Sequence, residues 1–298
     1  MNRRVGSKTW LIGVLSMSVL SILAGCAVRK VNLWGDPQTG LILTYRMPGK
    51  QPLKYQFKAE QSQTIEVMGQ SIATESNVAI GFTVQPKGMK ENHYQLGLTI
   101  DSMKVNVESP QGSLSPDMST VIGKSFDMIM TELGKELDIS GAASIQYDLG
   151  PAGKRNIAST FQAFFPDLAG RPVKMGDTWT AEDLIKDETG GGEVRIRLKS
   201  EHKLDGFETV DGLECVRIKS AVTGGLEGEG KEQGMDLTFK GDIEGVDTWY
   251  FAYKEGLYVK MNSSASIKGT ITTSGGQSMT IPLTQKLRME TKLTPANL

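Results

Sequence analysis

The chain has 298 residues, with 33 basic against 34 acidic side chains and a net charge of −1. That balance offers no excess of Lys and Arg to neutralise phosphates, so a nucleic-acid partner is not expected. Two cysteines and two histidines leave no room for a disulfide framework or a four-thiolate zinc site, while 39% hydrophobic and 22% charged residues fit a folded body and not a disordered one.

Arg3, Arg4 and Lys8 precede an uncharged run from Trp10 to Ala24. A basic segment followed by about 7–15 apolar residues is the pattern of a secretory signal. The run closes on Leu23, Ala24, Gly25 and Cys26. This quartet resembles the lipobox of bacterial lipoproteins. The resemblance implies recognition of Leu23, Ala24 and Gly25 by a signal peptidase, a diacylglyceryl group on the Cys26 sulfur, cleavage before Cys26 and acylation of the new amino group. The competing reading, a single membrane-spanning helix over residues 10–28, sits at the short end of the roughly 17–25 residues that cross a bilayer. Arg3-Arg4 is followed by Val5-Gly6-Ser7-Lys8, which lacks the apolar pair of a twin-arginine signal.

Two or three acyl chains hold a protein stably at a membrane, so the mature chain is expected to be anchored without crossing. Removing residues 1–25 takes Arg3, Arg4 and Lys8 and no acid, which moves the net charge from −1 to −4. Ala27 follows the cysteine, where an Asp would signal inner-membrane retention in enteric-type bacteria. By that analogy the expected address is the periplasmic face of the outer membrane, in an organism that has one. Acylation uses Cys26 and leaves Cys215 as an unpaired thiol in an oxidising compartment, where it packs as a small hydrophobe.

Residues 26–40 read as the lipidated N-terminus and a tether ending in turn chemistry. Beyond them the apolar residues recur mostly with period two. Tyr55, Phe57 and Ala59 alternate with Lys54, Gln56 and Lys58; Val78, Ile80, Phe82 and Val84 do the same, as do Tyr94, Leu96, Leu98 and Ile100. Alternation of this kind predicts antiparallel strands with one buried face. Met103, Val105 and Val107 continue it with a shift of one, which predicts a bulge. Turns are expected at Met68-Gly69-Gln70-Ser71 and at Gln85-Pro86-Lys87-Gly88.

Met118, Ile122, Phe126, Ile129, Leu133 and Leu137 keep helical spacing, but Gly123 and Gly134 interrupt it, each at a cost of about 1 kcal/mol in a helix. The preferred reading is a short helix near 116–122, then a hairpin with Phe126, Met128 and Met130 on one side of a turn at Glu132-Leu133-Gly134. A second short helix is expected over Asn156–Phe165, with an aromatic side of Phe161, Phe164 and Phe165. Strands resume at Val194–Leu198, Cys215–Lys219 and Leu237–Lys240. Trp249, Phe251 and Tyr253 lead to a turn at Lys254-Glu255-Gly256, with Leu257, Val259 and Met261 beyond it. Pro282 cannot donate to a ladder, so its strand is read as an edge or as bulged. Asp177-Thr178-Trp179 recurs as Asp247-Thr248-Trp249. The fold class expected is mainly β (α+β): two lobes of curved antiparallel sheet, 41–150 and 151–298, with one or two short helices.

Chemistry is sparse. Gly123-Lys124-Ser125 has Met118 where a phosphate-binding loop needs glycine, and Gln233 stands where a dinucleotide fingerprint begun by Gly228 and Gly230 needs its third. His93 and His202 read as exposed or half-buried, with no partner spacing for a metal or a hydrolytic triad. Asp177 and Asp247 read as turn-formers, and Trp179 and Trp249 as core. Neither a catalytic residue, a cofactor nor a metal is expected. Methionines spread over the strands suit a gap-filling core and also an adaptable apolar site; Phe161, Phe164, Phe165, Met128 and Met130 are the candidate lining of such a site.

Pro172-Val173-Lys174-Met175-Gly176-Asp177-Thr178-Trp179, together with Thr248-Trp249-Tyr250-Phe251 and Glu255-Gly256-Leu257, resembles an uncharacterised family of β-rich envelope lipoproteins that implies no catalytic residues. By architecture alone the chain is similar to envelope carriers of lipids or lipoproteins, whose curved sheets wrap helices and a greasy cavity. The expected function is therefore a lipid-anchored, non-enzymatic envelope protein that holds or carries an apolar ligand, with a structural or protein-interaction lipoprotein as the alternative. Its partners would be the membrane, through the acyl chains on Cys26, and an apolar ligand or another envelope protein. Cys26→Ala is expected to abolish incorporation of labelled fatty acid and release the protein from membranes; acyl labelling that persists in the variant would disprove the anchor.

Overall fold

Runs of alternating apolar and polar residues this long bury one face only if neighbouring strands line up their apolar sets. The computed structural model meets that demand with one antiparallel sheet. It describes residues 34–47, 49, 51–150, 153–189, 192–232, 235–274 and 278–294. The signal segment and the lipobox Leu23-Ala24-Gly25-Cys26 lie outside the described residues.

Two short strands, β1 (Gly35–Asp36) and β2 (Gly40–Leu41), form a small ladder in what reads as the end of the tether. The body follows with β3 (Leu53–Val67), β4 (Gln70–Lys90), β5 (His93–Ser109), β6 (Gly112–Leu114), β7 (Ser125–Met130) and β8 (Glu136–Asp138). A 3₁₀ turn at Ser140–Ser144, the pair β9 (Gln146–Asp148) and β10 (Lys154–Asn156), and the single-turn α1 (Ala158–Phe161) make up a connector. Six long strands complete the chain: β11 (Thr178–Thr189), β12 (Gly192–Val210), β13 (Leu213–Glu232), β14 (Met235–Ala252), β15 (Leu257–Ser274) and β16 (Met279–Thr294).

The strand order is β11-β12-β13-β14-β15-β16-β3-β4-β5-β7-β8, with β6 beside β5. The two lobes expected on either side of Gly150-Pro151 are thereby joined: β16 pairs β3 from Leu283↔Ile65 to Thr294↔Lys54. The physical reason is edge satisfaction. Separate lobes would each expose a long unpaired strand, and pairing the last strand with the first long one removes both edges at once.

Local chemistry sets the turns. Met68 and Gly69 both take positive φ, at 51° and 78°, as a two-residue hairpin of the type that matches strand twist requires. Asp211-Gly212 does the same at 48° and 83°. The turn expected at Gln85–Gly88 is instead an irregularity inside β4, between Pro86 and Gly88; the chain reverses at Glu91-Asn92, again with both φ positive. The bulge expected after Ile100 is present, since Ile100 pairs Phe82 while Ser102 pairs Gly81. Pro282 is locally at an edge: it pairs Thr270 of β15, and the ladder to β3 starts only at Leu283.

The helix expected near 116–122 is a hydrogen-bonded turn, with Val121 and Ile122 both donating to the Met118 carbonyl. Gly123 donates to Ile100 O and Ile100 to Lys124 O, so the chain is drawn onto β5 before a helix can propagate. The hairpin that follows is as expected, with Ile129 and Met130 of β7 paired to Asp138 and Glu136 of β8. The helix expected over 156–165 lasts only through Ala158–Phe161; Ala163 then takes φ +57° and ends it.

The core gathers at one end of the strands. Tyr55 stacks on Phe82 at 5.5 Å, and Phe161 and Phe164 meet Phe82 edge-on at 5.0 and 5.1 Å. These contacts seat the connector against the sheet. The connector together with its flanking residues, from Lys135 to Arg171, covers the free edge of β11. Arg171 donates to Thr178 O at 2.8 Å, Lys135 Nζ to Glu182 O at 2.9 Å, and Gln162 Nε2 to Lys186 O at 2.9 Å. Lys186 N–H donates back to Gln162 Oε1 at 2.7 Å. These caps fall four residues apart along the edge strand.

Lys135 pairs as well with Asp183 and Asp167, tying the β7–β8 hairpin to the far edge of the sheet. Gly134 beside it must be glycine: φ is +102°, and a Cβ there would lie 2.5 Å from Pro166 O and 2.7 Å from the Tyr45 ring. Glu136 Oε1 accepts the Phe165 N–H at 2.9 Å. Burial pushes the Glu136 carboxyl up to about 8, against the smaller lowering effect of that hydrogen bond. Its folded pKa thus lies above the ordinary value of 4.5, so its contribution to stability is complete below that value and is lost as pH rises through about 8. Asp167, also raised by burial, acts in the same direction. The urea midpoint is expected to fall between pH 5 and pH 8, and Glu136→Gln, which keeps the acceptor, is expected to flatten most of that slope. An unchanged slope in the variant would rule out Glu136 as its source.

Candidate functional site

Side-chain parity divides every long strand into an outer, exposed set and an inner set that shares a face with Tyr55 and Phe82. Along β3 the outer set is Lys54, Gln56, Lys58, Glu60 and Ser62, and all are exposed. Beyond the aromatic core the inner set mixes apolar residues with the half-buried Gln61, Gln63, Thr74, Ser76 and Gln285. Register aligns Leu226, Gly241, Gly269, Leu283, Ile65 and Ile72 in one row across β13, β14, β15, β16, β3 and β4. Another row runs Phe239, Ile271, Ile281. Most of these side chains are half-buried, in contrast to the buried residues at the connector end. The strands extend about 3.3 Å per residue, so the inner face continues for several turns' length past the point where the aromatic packing stops.

Glycine sets the curl of this region. Gly241 faces Gly269 across the β14–β15 ladder, and a Cβ on Gly269 would lie 2.3 Å from Lys240 O and 2.8 Å from Gly241 Cα. Strands bend this closely only where side chains are absent.

Between the filled and half-buried parts of the inner face runs a belt of polar residues. His202, Ser220, Asp247 and Ser263 are register partners in sequence across β12, β13, β14 and β15. His202 Nδ1 lies 2.7 Å from Ser220 Oγ, which also accepts the Trp249 Nε1–H at 3.0 Å. The rings of Trp179 and Trp249 flank His202 at 5.3 and 5.6 Å. Burial drops the histidine to about 4, so it is neutral at physiological pH. Burial raises the Asp247 carboxyl, and its hydrogen bond to Ser263 lowers it again in part. One rung away on β16 is Thr291, paired with Met261, and its hydroxyl adjoins that of Tyr258. His202 Nε2 is buried without a hydrogen-bond partner, while the Tyr258 and Thr291 hydroxyls interact with each other.

His202, expected as exposed or half-buried, and Asp247, expected as a turn-former, both face inward on long strands. His202 is 5% exposed, and Asp247 lies in the middle of β14 facing inward. The signal was parity: His202 shares its phase with Leu198 and Leu204, and Asp247 with Ile243 and Trp249. Trp179 and Trp249 are core residues as expected. Cys215 is buried, with the thiol pushed up to about 12 by that burial, which matches an inert packed cysteine.

The candidate lining residues come together at the connector end. Phe161 touches Phe82 and Phe126 edge-on, and Phe164 and Phe165 pack on Tyr55 and Tyr258. Met128 and Met130 are fully buried on β7 beside them. Asp183 and Asp187 are engaged separately, by Lys135 and by Arg155 at 3.2 Å. Among the described residues, three or more His, Cys, Asp or Glu side chains nowhere gather as metal ligands would.

No family model matches the chain, and no curated protein is similar to it in sequence. Solved structures that resemble it include an outer membrane channel from Pseudomonas putida F1, at 9% identity and a TM-score of 0.27, over 87% of this chain and 100% of the channel. The hypothetical lipoprotein YmcC from Escherichia coli K12 resembles it at 13% identity and a TM-score of 0.25, over 80% of this chain and 85% of that one. A DUF1329 family protein from Desulfovibrio piger does so at 9% identity and a TM-score of 0.14, over 82% and 87%. The likeness is one of antiparallel β architecture and carries nothing further to this chain.

Proposed function

We propose that the protein is a lipid-anchored, non-enzymatic component of the cell envelope that holds an apolar ligand against the inner face of its sheet. One observation carries this reading. Beyond the aromatic core the inner face is half-buried and mixed, with Leu226, Leu237, Phe239, Ile65, Ile72, Ile271 and Ile281 beside Gln61, Gln63, Thr74, Ser76 and Gln285. A face meant for water would be polar throughout, and a face meant only for packing would be covered. Leu237, Phe239, Ile271 and Ile281 supply an apolar floor, and Met235, Met279 and Met289 supply adaptable side chains. The anchor rests on Leu23-Ala24-Gly25-Cys26, and the periplasmic face of the outer membrane follows from Ala27 by analogy.

The arrangement of the polar belt supports binding over catalysis. In a hydrolytic triad the histidine stands between acid and nucleophile. Here Ser220 is between His202 and Asp247 in the ladder order, and its oxygen already accepts from Trp249. The alternative, a structural or interaction lipoprotein offering a β surface to another envelope component, draws support from the packing of Phe161, Phe164 and Phe165 in the core, where they leave no room for a chain among them.

Native mass spectrometry of the full-length protein, extracted from membranes, separates the two. The binding reading expects a lipid mass that survives extraction. Phe239→Glu, which puts a charge on the half-buried floor, is expected to cut lipid occupancy about tenfold, the charge costing several kcal/mol to bury, with little change in melting temperature. Protein that is lipid-free when extracted, together with capture of an envelope protein at unit stoichiometry, would transfer support to the interaction reading.

A further inference from the structure

The outer face of the sheet carries its charge unevenly. On three adjoining strands, β15, β16 and β3, the outer positions nearest the connector hold Lys54, Lys58, Lys260, Lys286, Arg288 and Lys292. Two acids, Glu60 and Glu290, stand among them. Six cations less two acids give this field +4, in a chain whose whole net charge is −1. By strand spacing and rise it measures about 10 Å by about 20 Å.

Register sharpens the imbalance. Lys260 and Lys292 stand directly opposite in the β15–β16 ladder, where like charges are destabilising. Lys292 reaches Asp211 at 3.4 Å. Glu290 faces Lys58 and Glu60 faces Arg288 across the β16–β3 ladder, yet none of these other five cations is in an ion pair among the described residues. Elsewhere the outer face does pair its charges, Arg197 with Glu227 at 3.0 Å and Arg217 with Asp205 at 2.9 Å. Cations left open on a sheet that can close such pairs call for anions from outside the chain.

The surroundings of the cations specify the anion. The other outer positions of the field are Gln, Asn, Ser and Thr, with no aromatic or aliphatic side chain. Protein interfaces depend on buried aromatic and apolar anchors and are poor in Lys, whereas five of these six cations are Lys. Flexible point charges on a polar ground suit an array of mobile phosphates. The position of the field agrees. Arg46 N donates to Gly256 O at 2.9 Å, four residues before Lys260, and β3 begins one residue before Lys54, so the described tether and the field share one end of the body. Trp34 lies eight residues after Cys26, a reach of at most about 28 Å. Arg29 and Lys30 put two more cations and no acid in that stretch.

We infer that the field is a membrane-docking face, which seats the body on the anionic phospholipid headgroups of the leaflet that holds the acyl chains. This rests on the anchor proposed above and is independent of the apolar ligand.

Lysine acetylation read by peptide mass spectrometry tests it. The full-length protein, extracted with its acyl chains, is placed in discs of phosphatidylcholine alone or of phosphatidylcholine mixed with phosphatidylglycerol. Lys54, Lys58 and Lys260 are expected to acetylate about fivefold more slowly in the anionic discs, while Lys199 and Lys240, exposed on β12 and β14, keep one rate in both. Molar salt, with a screening length of about 3 Å, is expected to erase the difference. Lys54→Glu combined with Lys260→Glu takes the field from +4 to 0 and is expected to abolish the slowing at Lys58 and Lys286. The melting temperature should hold, since Lys260→Glu turns the like-charged rung with Lys292 into an opposite one. Equal rates in the two discs, slowing that extends to Lys199 and Lys240, or slowing that persists in the double variant overturns the docking face and leaves the anchor standing. Slow acetylation in native membranes with equal rates in the two discs assigns the field to an acidic protein and overturns it as well. Protein that leaves the phosphatidylcholine discs has no anchor; if the anionic discs still hold it and slow the three lysines, the docking face stands without one.

Discussion

A rolled antiparallel sheet that does not close on itself has two edges, and the backbone groups along them must find partners or attract other chains. In this protein the side chains of one stretch, from Lys135 to Arg171, meet the edge of β11. The same stretch contains Phe161, Phe164 and Phe165, which fill the interior. Sealing the edge and filling the core are therefore a single event in folding terms: neither the caps nor the aromatic contacts can form without placing the other. The caps run along most of β11, from Thr178 to Lys186, so the edge is sealed over nearly its whole length.

Period-two alternation made the strands legible, and their turn chemistry placed the hairpin at Met68-Gly69 and the bulge after Ile100. Closure was not legible. The β16–β3 ladder joins the two ends of the body, and a contact between segments so distant in sequence leaves no local trace in either of them. The helix expected near 116–122 came from spacing alone. Met118 and Phe126 are buried, as that spacing requires, but Ile122 between them is 43% exposed; the matches at three and four arose where a turn runs into a strand. Gln85–Gly88 misled differently, since Pro and Gly mark bulges as well as turns.

The candidate site was partly legible. Phe161, Phe164, Phe165, Met128 and Met130 do meet, in the packed end of the face. The polar belt is invisible in residue type alone and shows only in each member's phase within its strand. A histidine or an aspartate looks like surface when its neighbours in sequence are charged, as Glu201 and Lys203 are around His202. Those neighbours point outward by the strand's own geometry, and the histidine between them must point in.

Glycine links the curl of the sheet to the shelter of its inner face. A sheet that curls tightly brings its inner side chains together, which stabilises an apolar interior but also closes it. The pair Gly241 and Gly269, with Gly224 one row away on β13, removes side chains from the inner face where the curl is tightest, so that the sheet can bend without filling the space it encloses. The result is a face too sheltered to be ordinary surface and too empty to be core. Such a face is stable in water only if its exposed apolar area is modest, and half-burial by curvature keeps it so.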